Sequence, residues 1–117
     1  ATIADTFNGE TVDADQQRHP TIAEGASIAR PVRLPEVVDA IRRSNGASIG
    51  VSDDEIRAAT RKLATRGLYA EPTSAVAAAA LERFIADGTI QRGESTVVIL
   101  TGSGLKSAER MAEVFAP

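Results

Sequence analysis

Residues 96–106 read Thr96-Val97-Val98-Ile99-Leu100-Thr101-Gly102-Ser103-Gly104-Leu105-Lys106. The apolar run is too short for a helix and rich in β-branched residues, which predicts a strand over Val97–Thr101. Two glycines follow, and then Leu105, Ala108, Met111, Ala112 and Phe115 recur at helical spacing, so a helix closes the chain. A second junction of this kind lies upstream at Glu71-Pro72-Thr73-Ser74-Ala75. There Leu68–Ala70 reads as a short strand or extended link, and Pro72 suits the first helical position. Such junctions are where an open α/β sheet offers side chains and free backbone N–H groups to a ligand.

Working outward, Ser52-Asp53-Asp54-Glu55 is a capping box, with acids in the first turn that suit the helix dipole. The helix it opens has an apolar stripe of Ile56, Ala59, Leu63 and Ala64, and Gly67 supplies its left-handed stop. Pro35 and Gly46 bracket an earlier helix with Val38 and Ile41 on its inner face and Val37 beside them, and Ala47–Val51 then reads as a buried strand. Thr21 with Glu24 is a capping box for a short helix that Gly25 interrupts. The helix from Pro72 runs to about Asp87, with Gly88 ending it, and is apolar all round from Ala75 to Leu81, the mark of a buried helix. The order strand, helix, link, helix, strand, helix predicts an α/β fold, a partial parallel sheet flanked by helices. A free-standing domain of this class usually has more strands, so the chain reads as part of a larger sheet.

The 117 residues predict one α/β domain over 21–117, preceded by a polar arm or loop at 1–20 with a turn at Asn8-Gly9. Hydrophobic residues at 43% and charged residues at 25% are ordinary for a soluble protein. A net charge of -3 without a Lys/Arg cluster, and 3% aromatic residues, argue against a nucleic-acid surface. No apolar stretch approaches the roughly 20 residues of a membrane span. Without cysteine there is no disulfide, thiolate nucleophile or thiolate metal site, and the lone His19, before Pro20 in a polar stretch, reads as a solvated loop residue. No charged-then-apolar leader opens the sequence, and a cytoplasmic location is the expectation.

Thr101-Gly102-Ser103-Gly104 has two local readings. Glycines between strand and helix allow close backbone approach to an anion at the helix N-terminus, yet G-x-G also describes a plain tight turn. At the other junction, Thr73 or Ser74 can simply satisfy free N–H groups of the first turn. Lys62, beside Arg61 on the outer face of its helix, reads as solvated.

Together the two junctions resemble the carboxy-terminal end of threonine synthase and related pyridoxal-phosphate enzymes of the tryptophan-synthase β-subunit superfamily, fold type II. The likeness extends over Thr21–Gly25, Arg30-Pro31-Val32 and the stretch into Val51–Ile56, so it covers residues 21–117 and leaves 1–20 without a counterpart. It implies pyridoxal 5′-phosphate as cofactor, with Thr101, Gly102, Glu71 and Ser74 as cofactor-binding residues. Thr101 would donate its hydroxyl to the pyridine nitrogen, Glu71 would lie near the ring, and Ser74 would line the site. A neutral hydroxyl partner leaves that nitrogen largely unprotonated, which tunes the cofactor's electron demand.

The family's Schiff-base lysine sits in a segment reading roughly Ser-Phe-Lys-Asp-Arg-Gly, separate from its glycine-rich phosphate loop. Neither occurs in these 117 residues. Lys106 matches instead the Gly-Leu-Lys after the strand, so the chain alone is expected to be inactive and no residue is assigned as catalytic. The implied reaction is β,γ-replacement on O-phosphohomoserine, giving threonine. A threonine or serine dehydratase or ammonia-lyase is the close alternative, since Ser103 stands where threonine synthases commonly carry histidine. A non-catalytic α/β binding or assembly module is the alternative of another class. Implied partners are an amino-acid substrate and a second copy of the chain or the remainder of the enzyme.

Overall fold

Capping residues set the helix boundaries of this computed structural model, which describes residues 2–10, 20–28 and 30–116. The helices in chain order are α1 (Thr2–Phe7), α2 (Leu34–Arg43), α3 (Asp53–Thr65), α4 (Pro72–Ala86) and α5 (Ala108–Phe115), with short 3-10 turns at Glu24–Ala26 and Gly104–Ser107. At the head of α3 the Ser52 hydroxyl accepts the Glu55 N–H at 3.3 Å, and the Glu55 carboxylate accepts the Ser52 N–H at 2.6 Å. Two orphan N–H groups are thereby satisfied reciprocally. Gly67 (φ 78) and Gly88 (φ 80) take the left-handed conformation just past α3 and α4. After α2 that conformation falls on Asn45 (φ 53), one residue before Gly46.

Backbone contacts divide the chain into two compact units, Ala1–Pro20 with Ser27–Gly50, and Thr21–Ala26 with Val51–Pro117. This differs from the arm followed by one domain that the sequence predicts. In the first unit α1 packs on α2, with Ala4 and Val38 buried and the Arg42 guanidinium 5.9 Å above the Phe7 ring centroid. Residues 2–7 are therefore a helix and not a loop, because Ala4 and Phe7 find apolar and cationic partners on α2 that local polarity does not reveal. Residues 11–19, including His19, lie outside the described residues.

In the second unit α3 packs along α4 around a core of Ile22, Ala23, Ile56, Ala59, Ala75, Ala79 and Val114. Fully burying an aliphatic side chain such as Ile56 stabilises by about 1.5–3 kcal/mol. Alanines at 75 and 79, one turn apart, let the two helices approach closely. The rest of the alanine run is only partly covered, so α4 is buried on one face and not all round. Thr60, absent from the predicted stripe, is buried with its hydroxyl donated to the Ile56 carbonyl at 2.8 Å.

Three further expectations are corrected. The Thr21 hydroxyl donates to Asp53 Oδ1 at 2.5 Å instead of capping its own helix, and Glu24 binds Arg110 at 2.6 Å. The terminal helix buries Met111 and Val114, while Leu105 is 81% exposed and Phe115 half exposed. The 3-10 winding over Gly104–Ser107 takes Leu105 out of phase with α5, and within α5 it is Val114, not Phe115, that enters the core with Ile56, Ala59 and Ala75.

Most consequentially, among the described residues there is no sheet. Of the expected strands Ala47–Val51, Leu68–Ala70 and Val97–Thr101, only the second takes part in any ladder contact, an isolated antiparallel bridge from Ala70 to Ser103. Val97 (87% exposed) and Ile99 (73%) project into solvent. A strand is completed only by hydrogen bonds to a neighbouring strand, and a β-branched run reports fitness for a pleated, half-buried surface rather than the presence of one. No helix of the described residues is long and apolar enough to cross a membrane.

Candidate functional site

The site is built where the chain turns from Gly67 into α4 and where residues 101–104 return beside it. The Glu71 N–H donates to the Gly102 carbonyl at 3.1 Å, and the Gly104 N–H donates to the Tyr69 carbonyl at 2.8 Å. These two bonds clamp the two junction segments side by side in antiparallel direction. Glu71 is the N-cap of α4 in extended conformation (φ -68, ψ 158), and Pro72 at the next position needs no N–H partner.

One turn into α4, Ser74 is 2% exposed and its hydroxyl reaches across the clamp. Ser74 Oγ accepts the Gly102 N–H at 2.7 Å and lies 3.1 Å from Thr101 Oγ1 and 3.3 Å from the Gly102 carbonyl oxygen. Thr73, the neighbouring motif residue, faces the other way and accepts the Gly25 N–H at 3.1 Å. On the far side of Gly102 the Glu71 carboxylate accepts the Ser107 hydroxyl at 3.2 Å. Gly102 is required by space, because a Cβ there would meet the Glu71 side chain, whose Cγ alone is 3.1 Å away. At Gly104 a Cβ would meet Met111 Cε and the Tyr69 ring, each at 2.8 Å.

The four residues singled out from the sequence, Glu71, Ser74, Thr101 and Gly102, are thus brought into one cluster. Their contacts differ in kind. Ser74 is closed off beneath the clamp, while Thr101 is exposed and lines an open cleft of about 290 Å³ shared with Leu68, Tyr69, Leu100 and Ser103. Lys106 is exposed and does not line that cleft. Lys62 is solvated as expected, in a surface ion pair with Glu82 at 2.8 Å. Two participants escaped the sequence reading. Tyr69 forms one wall of the cleft and Ser107 holds Glu71; the position of Tyr69, two residues before Glu71, was the available signal. Among the described residues no group of three acidic or imidazole side chains is arranged to hold a metal ion.

Comparison with known proteins identifies the family. Residues 1–102 match the family described as pyridoxal-phosphate dependent enzyme. The chain is 38% identical over 109 residues to threonine synthase of Methanocaldococcus jannaschii, covering 92% of this chain and 27% of that protein. It is 42% identical over 87 residues to threonine synthase of Halalkalibacterium halodurans, covering 74% and 25%. It is 39% identical over 93 residues to threonine synthase of Mycobacterium tuberculosis, covering 78% and 26%. The chain spans about a quarter of the length of these curated relatives. The family match also takes in residues 1–20, which had no counterpart in the sequence resemblance. With a match that takes in the Glu71–Ala75 junction and reaches Gly102, and with a threonine synthase 38% identical over 92% of its length, the chain belongs to the pyridoxal-phosphate dependent enzyme family.

Proposed function

We propose that this chain is the carboxy-terminal part of a threonine-synthase-type enzyme that converts O-phosphohomoserine and water into threonine and phosphate. The observation that carries the reading is the cluster in which Ser74 and Glu71 hold Thr101 and Gly102 at the wall of an open cleft, in a chain resembling threonine synthases along most of its length. The donor set fits the ring end of pyridoxal 5′-phosphate: a pyridine nitrogen is an acceptor, and Thr101 offers a hydroxyl at an open cleft. When bound, the cofactor supplies an electron sink for negative charge developing on the substrate carbons.

The chain's own residues then have separable tasks. Thr101 donates a hydrogen bond to the ring nitrogen and, being neutral, does not hold it protonated. Gly102 admits the Glu71 carboxyl where any side chain would exclude it. Glu71, braced by Ser107, presents a negative charge beside the cleft wall. The Schiff-base amine and the phosphate loop are assigned to other parts of the enzyme, which accords with the exposed position of Lys106.

In the complete enzyme the run Thr96–Thr101 is a strand of a parallel sheet. Its exposed Val97 and Ile99 support this, since a buried parallel strand needs apolar residues on both faces. Homo-oligomeric assembly and a cytoplasmic location belong to the same reading. Ser103 on the cleft wall favours one second reading, a hydroxyamino-acid dehydratase or ammonia-lyase. Incubating the complete enzyme and cofactor with O-phosphohomoserine tests the choice. Equal release of threonine and phosphate is the expected result. Ammonia and a 2-oxo acid from threonine or serine, with O-phosphohomoserine untouched, would establish the second reading.

A further inference from the structure

Ser74 lies where a cofactor-contacting residue is expected, yet its hydroxyl is engaged within the protein. The Gly102 N–H occupies one of its lone pairs at 2.7 Å, and the side chain is 2% exposed. Its single proton has two acceptors within reach, Thr101 Oγ1 at 3.1 Å and the Gly102 carbonyl at 3.3 Å. That carbonyl already accepts the Glu71 N–H at 3.1 Å, so the nearer and less engaged acceptor is Thr101. If Ser74 donates to Thr101, the proton of Thr101 is left to point into the cleft. If Thr101 donated to Ser74 instead, the cleft would face only lone pairs, which repel a pyridine nitrogen.

We propose that Ser74 is a positioning residue: anchored by the Gly102 N–H, its hydroxyl donates to Thr101 and turns the Thr101 proton outward toward the cofactor's ring nitrogen. The inference rests on the reading of Thr101 given above. It assigns to Ser74 an action through Thr101 and no contact with the cofactor. Burial is what makes the arrangement directional, since no water competes for the Ser74 proton.

The test compares Ser74→Ala, Thr101→Val and the double variant in the complete enzyme, loaded with pyridoxal 5′-phosphate labelled with nitrogen-15 in the ring. Ser74→Ala is expected to move the ring-nitrogen resonance in the same direction as Thr101→Val and to weaken cofactor binding roughly 2- to 10-fold, the worth of one net hydrogen bond. Added to Thr101→Val it should change neither quantity further, because its route of action is already cut. A Ser74→Ala resonance at the parent position while Thr101→Val shifts it would overturn the inference and leave Thr101 in place. A resonance unmoved by Thr101→Val would overturn the reading of Thr101 itself, and the inference with it. Equal effects of Ser74→Ala in both backgrounds would make Ser74 an independent contact, which also overturns the inference. Should Ser74→Ala not fold, Ser74→Cys keeps the side-chain shape with a weak donor and is read by the same outcomes. Amide exchange of the cofactor-free parent supplies a separate check: Gly102 should be protected, and a freely exchanging Gly102 overturns the proposal.

Discussion

Glu71 and Gly102 are joined through their backbones at 3.1 Å, and the Glu71 carboxyl group occupies the space that a side chain at position 102 would fill. The junction tolerates a loop this tight only because one partner lacks a Cβ. Gly102→Ala is therefore expected to swing Glu71 out, break its bond with Ser107 and destabilise by about 1 kcal/mol. Gly104→Ala should cost more, about 2–3 kcal/mol, since the obstacles there are the buried Met111 and the Tyr69 ring. Urea unfolding midpoints of the two variants check the order; a reversal would mean that the clamp is looser than its contacts indicate.

The capping box makes stability depend on pH. Hydrogen bonds from the Ser52 backbone N–H, then from the Ser52 hydroxyl, hold the Glu55 carboxyl below its ordinary value of 4.5. A carboxylate whose folded value is depressed contributes stability that is present above 4.5 and is lost as pH falls through the folded value. Melting temperature should thus drop on acidification below pH 4.5, and Glu55→Gln should flatten that part of the profile. Ser52→Ala should lower stability by about 1 kcal/mol near neutrality. Thermal melts of the three proteins between pH 3 and 7 provide the measurement, and identical slopes would argue against the cap as their source.

Thr101→Val preserves shape and removes the hydroxyl assigned to the ring nitrogen. In the complete enzyme at saturating cofactor it should leave the fold and the cofactor content intact and lower turnover roughly 5- to 150-fold. Lys106→Ala, by contrast, should retain both the cofactor absorbance and the rate. Parent turnover in Thr101→Val together with a lost cofactor band in Lys106→Ala would reverse the two assignments.

The 117-residue chain by itself should form no stoichiometric, reducible adduct with pyridoxal 5′-phosphate. Its lysines are Lys62, paired with Glu82 on the surface, and Lys106, outside the cleft. Borohydride reduction followed by peptide mapping should give only sparse, non-saturating label. Saturable labelling of Lys106 would make it the attachment point.

Ile99→Lys separates the isolated chain from the assembled sheet. The side chain is 73% exposed, so the substitution should change the chain's own unfolding midpoint by less than about 0.5 kcal/mol. In the complete enzyme the same lysine would sit within a sheet, where a charge is costly, and soluble yield or melting temperature should fall sharply. An unaffected complete enzyme would place residues 96–101 at an exposed edge.

Sequence alone determined what depends on contiguous backbone. Ser52 and Glu55 encode the start of α3, and Gly67 and Gly88 mark the ends of α3 and α4, because the bonds and dihedrals involved lie within a few residues of one another. The two junction segments, and the membership they carry, were legible in the same way. Tertiary structure alone decided what depends on partners distant in the chain. Thr2–Phe7 is helical because α2 covers it, and Val114 is buried where Phe115 was expected because the core it joins is assembled from Ile56, Ala59 and Ala75 on other helices. Ser74 turns inward to Thr101 and Gly102, 27 and 28 residues away, and no local spacing says which hydroxyl faces the cleft. The strand signal of Val97–Thr101 shows the same limit from the other side: side-chain propensity is written in the segment, but a ladder needs a second strand in space, and none pairs with it among the described residues.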